Sequence, residues 1–184
     1  MNNYCLRRLR YGLNLNDKLM LKLFSLANYQ LSINELKPYL AKEDSKDFVA
    51  LPDYLLLIFL DGLIIHKRGR REGEAEMTQA ERVSMAKKQK LTNNLVVNKI
   101  KIALSLTAES LIDILMLADF RISKSEISAF FRNPNHRNYR ECGNQFLRNL
   151  LTGVTLKYQS KSESKPKDKD KAKIDAKAKT KKKV

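Results

Sequence analysis

The 184-residue chain has few of the residues that build metal sites, disulfide frameworks or histidine-based catalytic centres. It holds two cysteines, two histidines and no tryptophan. Cys5 and Cys142 show no CxxC spacing, and no histidine pair accompanies them, so neither a zinc site nor a disulfide framework is indicated. We therefore expect no metal, no cofactor and a reducing compartment.

The chain also lacks a long apolar run. The most apolar stretch, residues 54–65, is interrupted by Asp61 and is too short to span a bilayer. The first residues hold no apolar segment of signal-peptide length. We expect a soluble, cytoplasmic protein that has no membrane partner.

Positive charge is abundant, and its distribution is uneven. The formal net charge is +16, of which residues 1–66 carry +1, residues 67–92 and 93–160 carry +4 each, and residues 161–184 carry +7. Clustered lysines and arginines neutralise phosphates and release their counterions. The excess therefore favours an anionic partner such as RNA or DNA, although most of it lies outside the apolar segments.

The same sequence pattern occurs twice, offset by 91 positions and without a gap. The offset pairs Asn2–Asn3 with Asn93–Asn94, and it pairs Gly62 with Gly153. Apolar residues fall on apolar residues almost throughout. Self-similarity of this extent indicates an internal duplication.

Each copy carries the local signals of four helices. Leu6, Leu9 and Leu13 recur at the spacing of one helix face and predict the first helix. The predicted caps are Asn16 and Thr107 for the second helix, and the capping boxes Ser32–Glu35 and Ser123–Glu126 for the third. A strongly apolar fourth helix is predicted over about 52–66 and about 143–158, so the fold class is all-α.

Gly62 and Gly153 fall inside this fourth helix. Glycine in a helix interior costs about 1 kcal/mol relative to alanine. Because the glycine is present in both copies, we expect another helix to cross close to it.

The predicted organisation is two tandem four-helix repeats, residues 2–66 and 93–158, with a charged linker at 67–92 and a basic tail at 159–184. The charge and sparse apolar content of the linker argue against a core element, although residues 79–86 could form a helical turn. The tail is a low-complexity lysine-rich tract without an aromatic residue after Tyr158. Such a composition predicts disorder.

Several segments resemble a known family. In the second copy they are residues 120–123, Glu126–Ile127 and the string RNPNHRNYRECGNQFLR at 132–148; elsewhere they are Lys42–Asp44, Phe59–Ile64, Lys67–Gly69 and Asn93–Asn94. These motifs resemble the YehS-like family of small bacterial proteins, which are built from two tandem copies of a domain of unknown function. The likeness runs from residue 2 to about residue 157.

The resemblance implies a bacterial, cytoplasmic, all-helical protein. It brings no established activity, cofactor or catalytic residue. The lysine-rich tail departs from the family pattern, since members of this kind usually end soon after the last helix.

Catalytic signatures are missing. There is no HExxH motif, glycine-rich phosphate loop or matched carboxylate pair. Cys142 beside Glu141, with His136 six residues upstream, has the residue types of a nucleophile and its base. Its equivalent in the first copy is Leu51, which favours a buried cysteine instead. We expect a protein that is not an enzyme.

The loop between the third and fourth helices differs in charge between the copies. In the first copy it carries Glu43, Asp44, Asp47 and Asp53, and in the second Arg132, His136, Arg137 and Arg140. The basic loop could contact phosphate or an acidic protein. Alternatively, the loops could fold onto each other or cap the following helix.

Basic residues also lie on the helices. Lys99 and Lys101 repeat Arg8 and Arg10, which could extend a positive face across both copies. Residues two apart point to different sides of a helix, so an ordinary solvated surface is the alternative. The second and third helices have the short connection of a helix-turn-helix, a weak signal that Lys124 could support.

These patterns predict a non-enzymatic binding protein that associates with nucleic acid or ribonucleoprotein through the linker, the second repeat and the tail. The alternative is a protein–protein adaptor whose helical modules hold a peptide or helix while the tail solubilises. The candidate partner-binding residues are Lys99, Lys101, Lys124, Arg132, Arg137, Arg140 and Arg148.

Overall fold

The computed structural model describes residues 1–73 and 77–163, with side chains through residue 159, and these ranges form nine helices and no strand. The helices are α1 (Asn2–Gly12), α2 (Asp17–Leu26), α3 (Ile33–Leu40), α4 (Asp53–Arg68), α5 (Gln79–Lys88), α6 (Asn93–Ala103), α7 (Ala108–Met116), α8 (Lys124–Phe130) and α9 (Asn144–Glu163). Helices α1–α4 and α6–α9 are the two predicted four-helix repeats. The all-α prediction is confirmed.

The helix starts follow the sequence signals. The Asn16 side chain accepts the Leu19 N–H at 2.9 Å, and Thr107 does the same for Ser110 at 3.1 Å. Both predicted capping boxes are formed, at the starts of α3 and α8. Each of these caps satisfies backbone N–H groups that a helix start leaves free.

Four helices are followed, within three residues of their ends, by a left-handed residue that is not glycine. These residues are Asn14, Asn28, Ser105 and Asp119, with φ between 52° and 58°. After each of them, the next N–H reaches the carbonyl five residues back at 2.8–3.0 Å, which is the Schellman pattern. The four residues form two pairs at the 91-residue offset, so the turns repeat together with the helices.

The two interior glycines mark helix crossings, as predicted. A Cβ on Gly62 would lie 1.8 Å from the carbonyl oxygen of Leu23 on α2. A Cβ on Gly153 would lie 1.9 Å from that of Ile114 on α7. The helices approach so closely that no side chain fits at either position.

The two repeats interlock rather than stand side by side. Helix α1 packs along α9, and its equivalent α6 packs along α4. Gly12 permits the first contact, because a Cβ there would lie 2.9 Å from Thr155 Oγ1. The buried apolar residues of both repeats consequently form one continuous core.

The linker differs from expectation. Helix α5 begins with a capping box of Thr78 and Glu81, places Ala86 in the core and packs Val83 against it. The expectation that the linker contains no core element was wrong. Val83 and Ala86 lie on one face of α5 and pack with the core, and Arg82 and Gln79 add polar contacts to the first repeat.

The fourth helices are longer than predicted. Helix α4 continues to Arg68 and α9 to Glu163, past the predicted ends at 66 and 158. The segment predicted to be a disordered tail from residue 159 therefore starts as helix. Its remainder, residues 164–184, lies outside the described residues.

Candidate nucleic-acid interface

An asparagine near the start of each repeat holds the loop between the third and fourth helices. Asn3 Nδ2 donates to the carbonyl oxygens of Tyr39 (3.0 Å) and Val49 (2.8 Å), and Asn3 Oδ1 accepts the Leu51 N–H at 2.9 Å. Asn94 makes the same three bonds with the equivalent residues, 91 positions on, at 2.8–2.9 Å. Each loop is therefore closed onto the first helix of its own repeat.

The basic loop displays its side chains on this fixed backbone. Arg137 and Arg140 are exposed and Arg132 is half-buried. His136 Nδ1 accepts the Asn138 N–H at 3.1 Å, which fixes the loop tip. Asn94 of the first helix of the same repeat holds the loop, a contact that neither alternative from the sequence included. The Arg137 and Arg140 side chains remain exposed.

Lys99 lies between the repeats instead of on an open surface. Its Nζ forms an ion pair with Asp61 of α4, and its side chain is 13% exposed. Asp61 also pairs with Arg82 of α5. Arg8, the equivalent of Lys99, donates to Thr152 Oγ1 at 2.9 Å. We expected a solvated surface or a continuous positive face at Lys99 and Arg8, and this expectation was wrong. The side of α6 that carries Lys99 and the side of α1 that carries Arg8 face the other repeat.

The other predicted residues on helices have partners within the chain. The partners are the Phe131 ring for Lys101 (Nζ to centroid, 4.6 Å), Glu109 for Lys124 (2.6 Å) and the Tyr4 ring for Arg148 (Cζ to centroid, 4.7 Å). The Lys124 ammonium lowers the pKa of Glu109 to about 2. Lys101 lies beside the loop that carries Arg132, whereas Lys99 is set apart in the repeat interface.

A basic cleft opens between α4, the linker and α6, and of the predicted site residues only Lys99 lines it. Its volume is about 640 Å³. The charged residues that line it are Arg68, Arg70, Arg71, Arg82, Lys99 and Asp61. The basic run KRGRR at residues 67–71 is the feature of the sequence that could have indicated this cleft. The sequence could not show that α4 and α6 come together to make a concave surface behind it.

Contacts with the backbone orient two of the cleft arginines. Arg70 Nη2 donates to the Leu26 carbonyl and to Asn28 Oδ1, both at 2.8 Å, and Arg68 Nη1 donates to the Ile102 carbonyl at 3.4 Å. Within residues 1–73 and 77–159, no carboxylate forms an ion pair with Arg68, Arg70 or Arg71. Among the described residues that line the cleft, five are cationic and one is a carboxylate, so positive charge is in excess.

Cys142 has the buried environment expected from its Leu51 equivalent. The residue is 5% exposed, and burial raises the pKa of its thiol to about 12. The backbone N–H of Cys142 donates a hydrogen bond to Asn94 Oδ1. A thiol in this state is a poor nucleophile.

Metal-binding clusters and membrane-spanning helices are both absent from the described ranges. These ranges contain no group of three or more histidine, cysteine, aspartate or glutamate residues arranged to hold a metal ion. Among the helices in the same ranges, none combines the length and the apolar character needed to cross a membrane.

Comparisons with known proteins agree with this architecture. A family model described as "Protein of unknown function (DUF1456)" matches residues 2–69 and 93–159. The chain belongs to this family. The uncharacterized protein YehS of Escherichia coli (strain K12) is 36% identical over 161 residues, which cover 88% of this chain and 98% of that protein. The YehS-like resemblance is confirmed. No solved structure gives a significant match.

Proposed function

We propose that this member of the family is a non-enzymatic binding protein that associates with nucleic acid or ribonucleoprotein. RNA or DNA lies along the basic cleft between α4, the linker and α6. One observation carries the proposal: Arg68, Arg70 and Arg71 are exposed at a cleft where Asp61, the one carboxylate among the described lining residues, is already shared by two other cations.

The chemistry of these side chains suits phosphate. A guanidinium group presents a planar fork of donors that binds phosphate oxygens in pairs. The backbone contacts of Arg68 and Arg70 restrict their motion beforehand, which lowers the entropic cost of binding. A concave surface of one charge also raises the local concentration of an oppositely charged ligand.

Other basic segments add to the electrostatic attraction. Arg137 and Arg140 are exposed on the second repeat. The sequence of residues 161–184 contributes a further +7. Contacts of this kind position a nucleic acid without reading its sequence, so the proposal favours weak discrimination between sequences.

Retention of the full chain on immobilised single-stranded RNA and duplex DNA tests the proposal. We expect retention at about 50 mM salt, and a loss of affinity of about 10³-fold or more by about 200 mM if six or more phosphates are contacted. Absence of retention at the lower salt, or retention that does not change with salt, contradicts it.

A protein–protein adaptor is the second candidate. The observation that favours it is a set of exposed apolar side chains, Tyr11, Leu117 and Leu156. Affinity purification with a chain ending at Glu163 separates the two candidates. Protein partners that persist after nuclease treatment favour the adaptor, whereas loss of the partners on nuclease treatment favours binding to nucleic acid at the cleft, which this shortened chain retains.

A further inference from the structure

The molecule presents the same apolar face twice, and the linker covers one of the two. Leu26, Ile65 and Ile102 line the cleft behind the linker, and all three are half-buried. The equivalent residues in the other half, 91 positions away, are Leu117, Leu156 and Tyr11, which are 49%, 48% and 60% exposed. These last three residues define the uncovered face.

Equivalent hydrogen bonds show that the helices around the two faces are arranged in the same way. Arg68 donates to the carbonyl of Ile102, and Gln159, its equivalent, donates from Nε2 to the carbonyl of Tyr11 at 3.2 Å. The crossing of α7 over Gly153 repeats the crossing of α2 over Gly62. Helices α1, α7 and α9 therefore offer the arrangement that α6, α2 and α4 offer to the linker.

An electrostatic contact helps to hold helix α5 beside the covered face. Arg82 of α5 forms an ion pair with Asp61 of α4, and Asp61 also pairs with Lys99. The Gln79 side chain adds a hydrogen bond by accepting the Gln30 N–H at 3.0 Å. In this half, therefore, a cation of the docked helix α5 pairs with a carboxylate of the first repeat.

The uncovered half keeps the cation but has no carboxylate at the position of Asp61. Thr152 occupies the position of Asp61, while Arg8 occupies that of Lys99. Arg8 is half-buried and donates to the Thr152 and Tyr4 hydroxyls, and within the described ranges no carboxylate pairs with it. A helix that docks here must bring the carboxylate itself.

We propose that the uncovered face binds an amphipathic helix of a partner protein, with an acidic side chain of that helix directed at Arg8. This rests on the adaptor candidate and names its class of partner; it does not depend on nucleic-acid binding. The partner's apolar side chains cover Tyr11, Leu117 and Leu156, while its carboxylate takes the part that Asp61 plays in the first half.

Charge argues against the chain's own C-terminal segment as the occupant. Residues 164–184 carry ten lysines and three aspartates. A segment of that charge would be repelled by Arg8 and by Arg7 of the same helix. An acidic helix is attracted by the same groups.

The probe is a terminally capped peptide with the sequence of residues 78–89 that carries Arg82→Glu, Lys87→Gln and Lys88→Gln, so that its net charge is negative after stapling; it is titrated into the ¹⁵N-labelled full chain. Because so short a helix is marginal in water, a hydrocarbon staple replaces the exposed Glu81 and Met85 side chains. We expect amide shifts at Tyr11, Leu117 and Leu156. The same stapled peptide with the native Arg82 should bind at least 10-fold more weakly.

Variants of the full chain locate the site. Leu117→Asp and Leu156→Asp should each weaken binding of the acidic peptide at least 10-fold. Both side chains are about half exposed, so the fold should persist, and unchanged amide shifts elsewhere verify this. The matched control is Met85→Asp, at a 52% exposed position on α5, which should leave the affinity unchanged.

Four outcomes overturn the proposal. Two are absence of shifts with the acidic peptide and equal binding of both peptides. The third is a dimer of the full chain that Leu117→Asp dissociates, which would assign the face to a second copy. The fourth is a shift of the Leu117 and Leu156 amides in Ile174→Asp, which would assign it to the C-terminal segment. Retention on RNA, measured with Leu117→Asp, should not change, so failure here is distinct from failure of nucleic-acid binding.

Discussion

Asp61 and Lys99 join the two repeats through an ion pair whose equivalent in the other half is a hydrogen bond between Thr152 and Arg8. The duplication gives both halves the same arrangement of helices. The halves differ because Thr152 stands at the position equivalent to Asp61. The carboxylate in one half also binds Arg82, which holds the linker helix and one wall of the basic cleft in place. Within residues 1–73 and 77–163, the other half has neither an equivalent carboxylate nor an equivalent docked helix.

Asp61→Asn should loosen the linker. Lys99 and Arg82 would remain at 13% and 15% exposure without an anion. We expect the free energy of unfolding to fall by about 1–3 kcal/mol, less than for a fully buried pair because Asp61 is partly solvated. Urea unfolding measures this loss, and hydrogen exchange should quicken in α5 before the rest.

Asp53→Asn is the control for that change. Asn2 donates to Asp53 at 2.7 Å, and in the second repeat Asn93 donates to Asn144 at 2.9 Å. The molecule therefore already contains the amide version of this contact, and we expect a change within about 0.5 kcal/mol. Equal effects of the two substitutions would show that the charge of Asp61 has no special role.

Asn3→Ala and Asn94→Ala should destabilise the protein to similar extents, by about 2–4 kcal/mol each. Each substitution removes three hydrogen bonds and leaves two carbonyls and one N–H without a partner. Urea unfolding tests this. Asn34→Ala, at an exposed position of α3, is the control. A decrease below about 1 kcal/mol for either variant would contradict the role assigned to these side chains.

Gly62→Ala and Gly153→Ala test the helix crossings. The new methyl group would overlap the carbonyl oxygen of Leu23 or of Ile114. We expect a net loss of at least about 2 kcal/mol, although alanine favours a helix by about 1 kcal/mol. At Gly143 a Cβ would meet nothing within 4 Å, so thermal unfolding of Gly143→Ala should match the parent.

Local signals in the sequence were sufficient for the helices and their caps. Ser32–Glu35 and Ser123–Glu126 form capping boxes because that chemistry depends on residues three apart. Gly62 indicated a crossing because nothing local explains a glycine there. In these cases the cause lies within a few residues of the effect.

The candidate site needed information that local patterns do not hold. The sequence shows Lys99 two residues from Lys101, but it does not show that Lys99 faces Asp61, 38 residues earlier. That contact depends on α6 packing along α4 of the other repeat. Likewise, Val83 and Ala86 are too few and too small to mark α5 as a docked helix before its docking surface is known.

The buried thiols predict an alkaline loss of stability. Burial raises the pKa of Cys5 and Cys142 from 9.0 to about 12. The folded state therefore keeps its protons where the unfolded state releases them, so this contribution is complete below pH 9 and is lost as the pH rises toward 12. Urea midpoints across that range should fall.

A double variant isolates the thiols from the other groups that titrate there. Cys5→Val with Cys142→Leu takes both residues from the equivalent positions, Val96 and Leu51. The decline of its midpoint between pH 9 and 12 should be shallower than the parent's. Parallel declines would show that the thiols do not contribute.

The most direct measurement compares the salt dependence of RNA binding between two full-length variants that each have three fewer positive charges. In one, Arg68, Arg70 and Arg71 become glutamine; in the other, the exposed Lys18, Lys22 and Lys42 do. Fluorescence anisotropy of a labelled single-stranded RNA gives the slope of log K against log salt, which changes by about 0.7 for each phosphate that the protein no longer neutralises. A slope reduced by about 2 in the arginine variant and nearly unchanged in the lysine variant is predicted. Equal slopes in the two variants would contradict binding at the cleft.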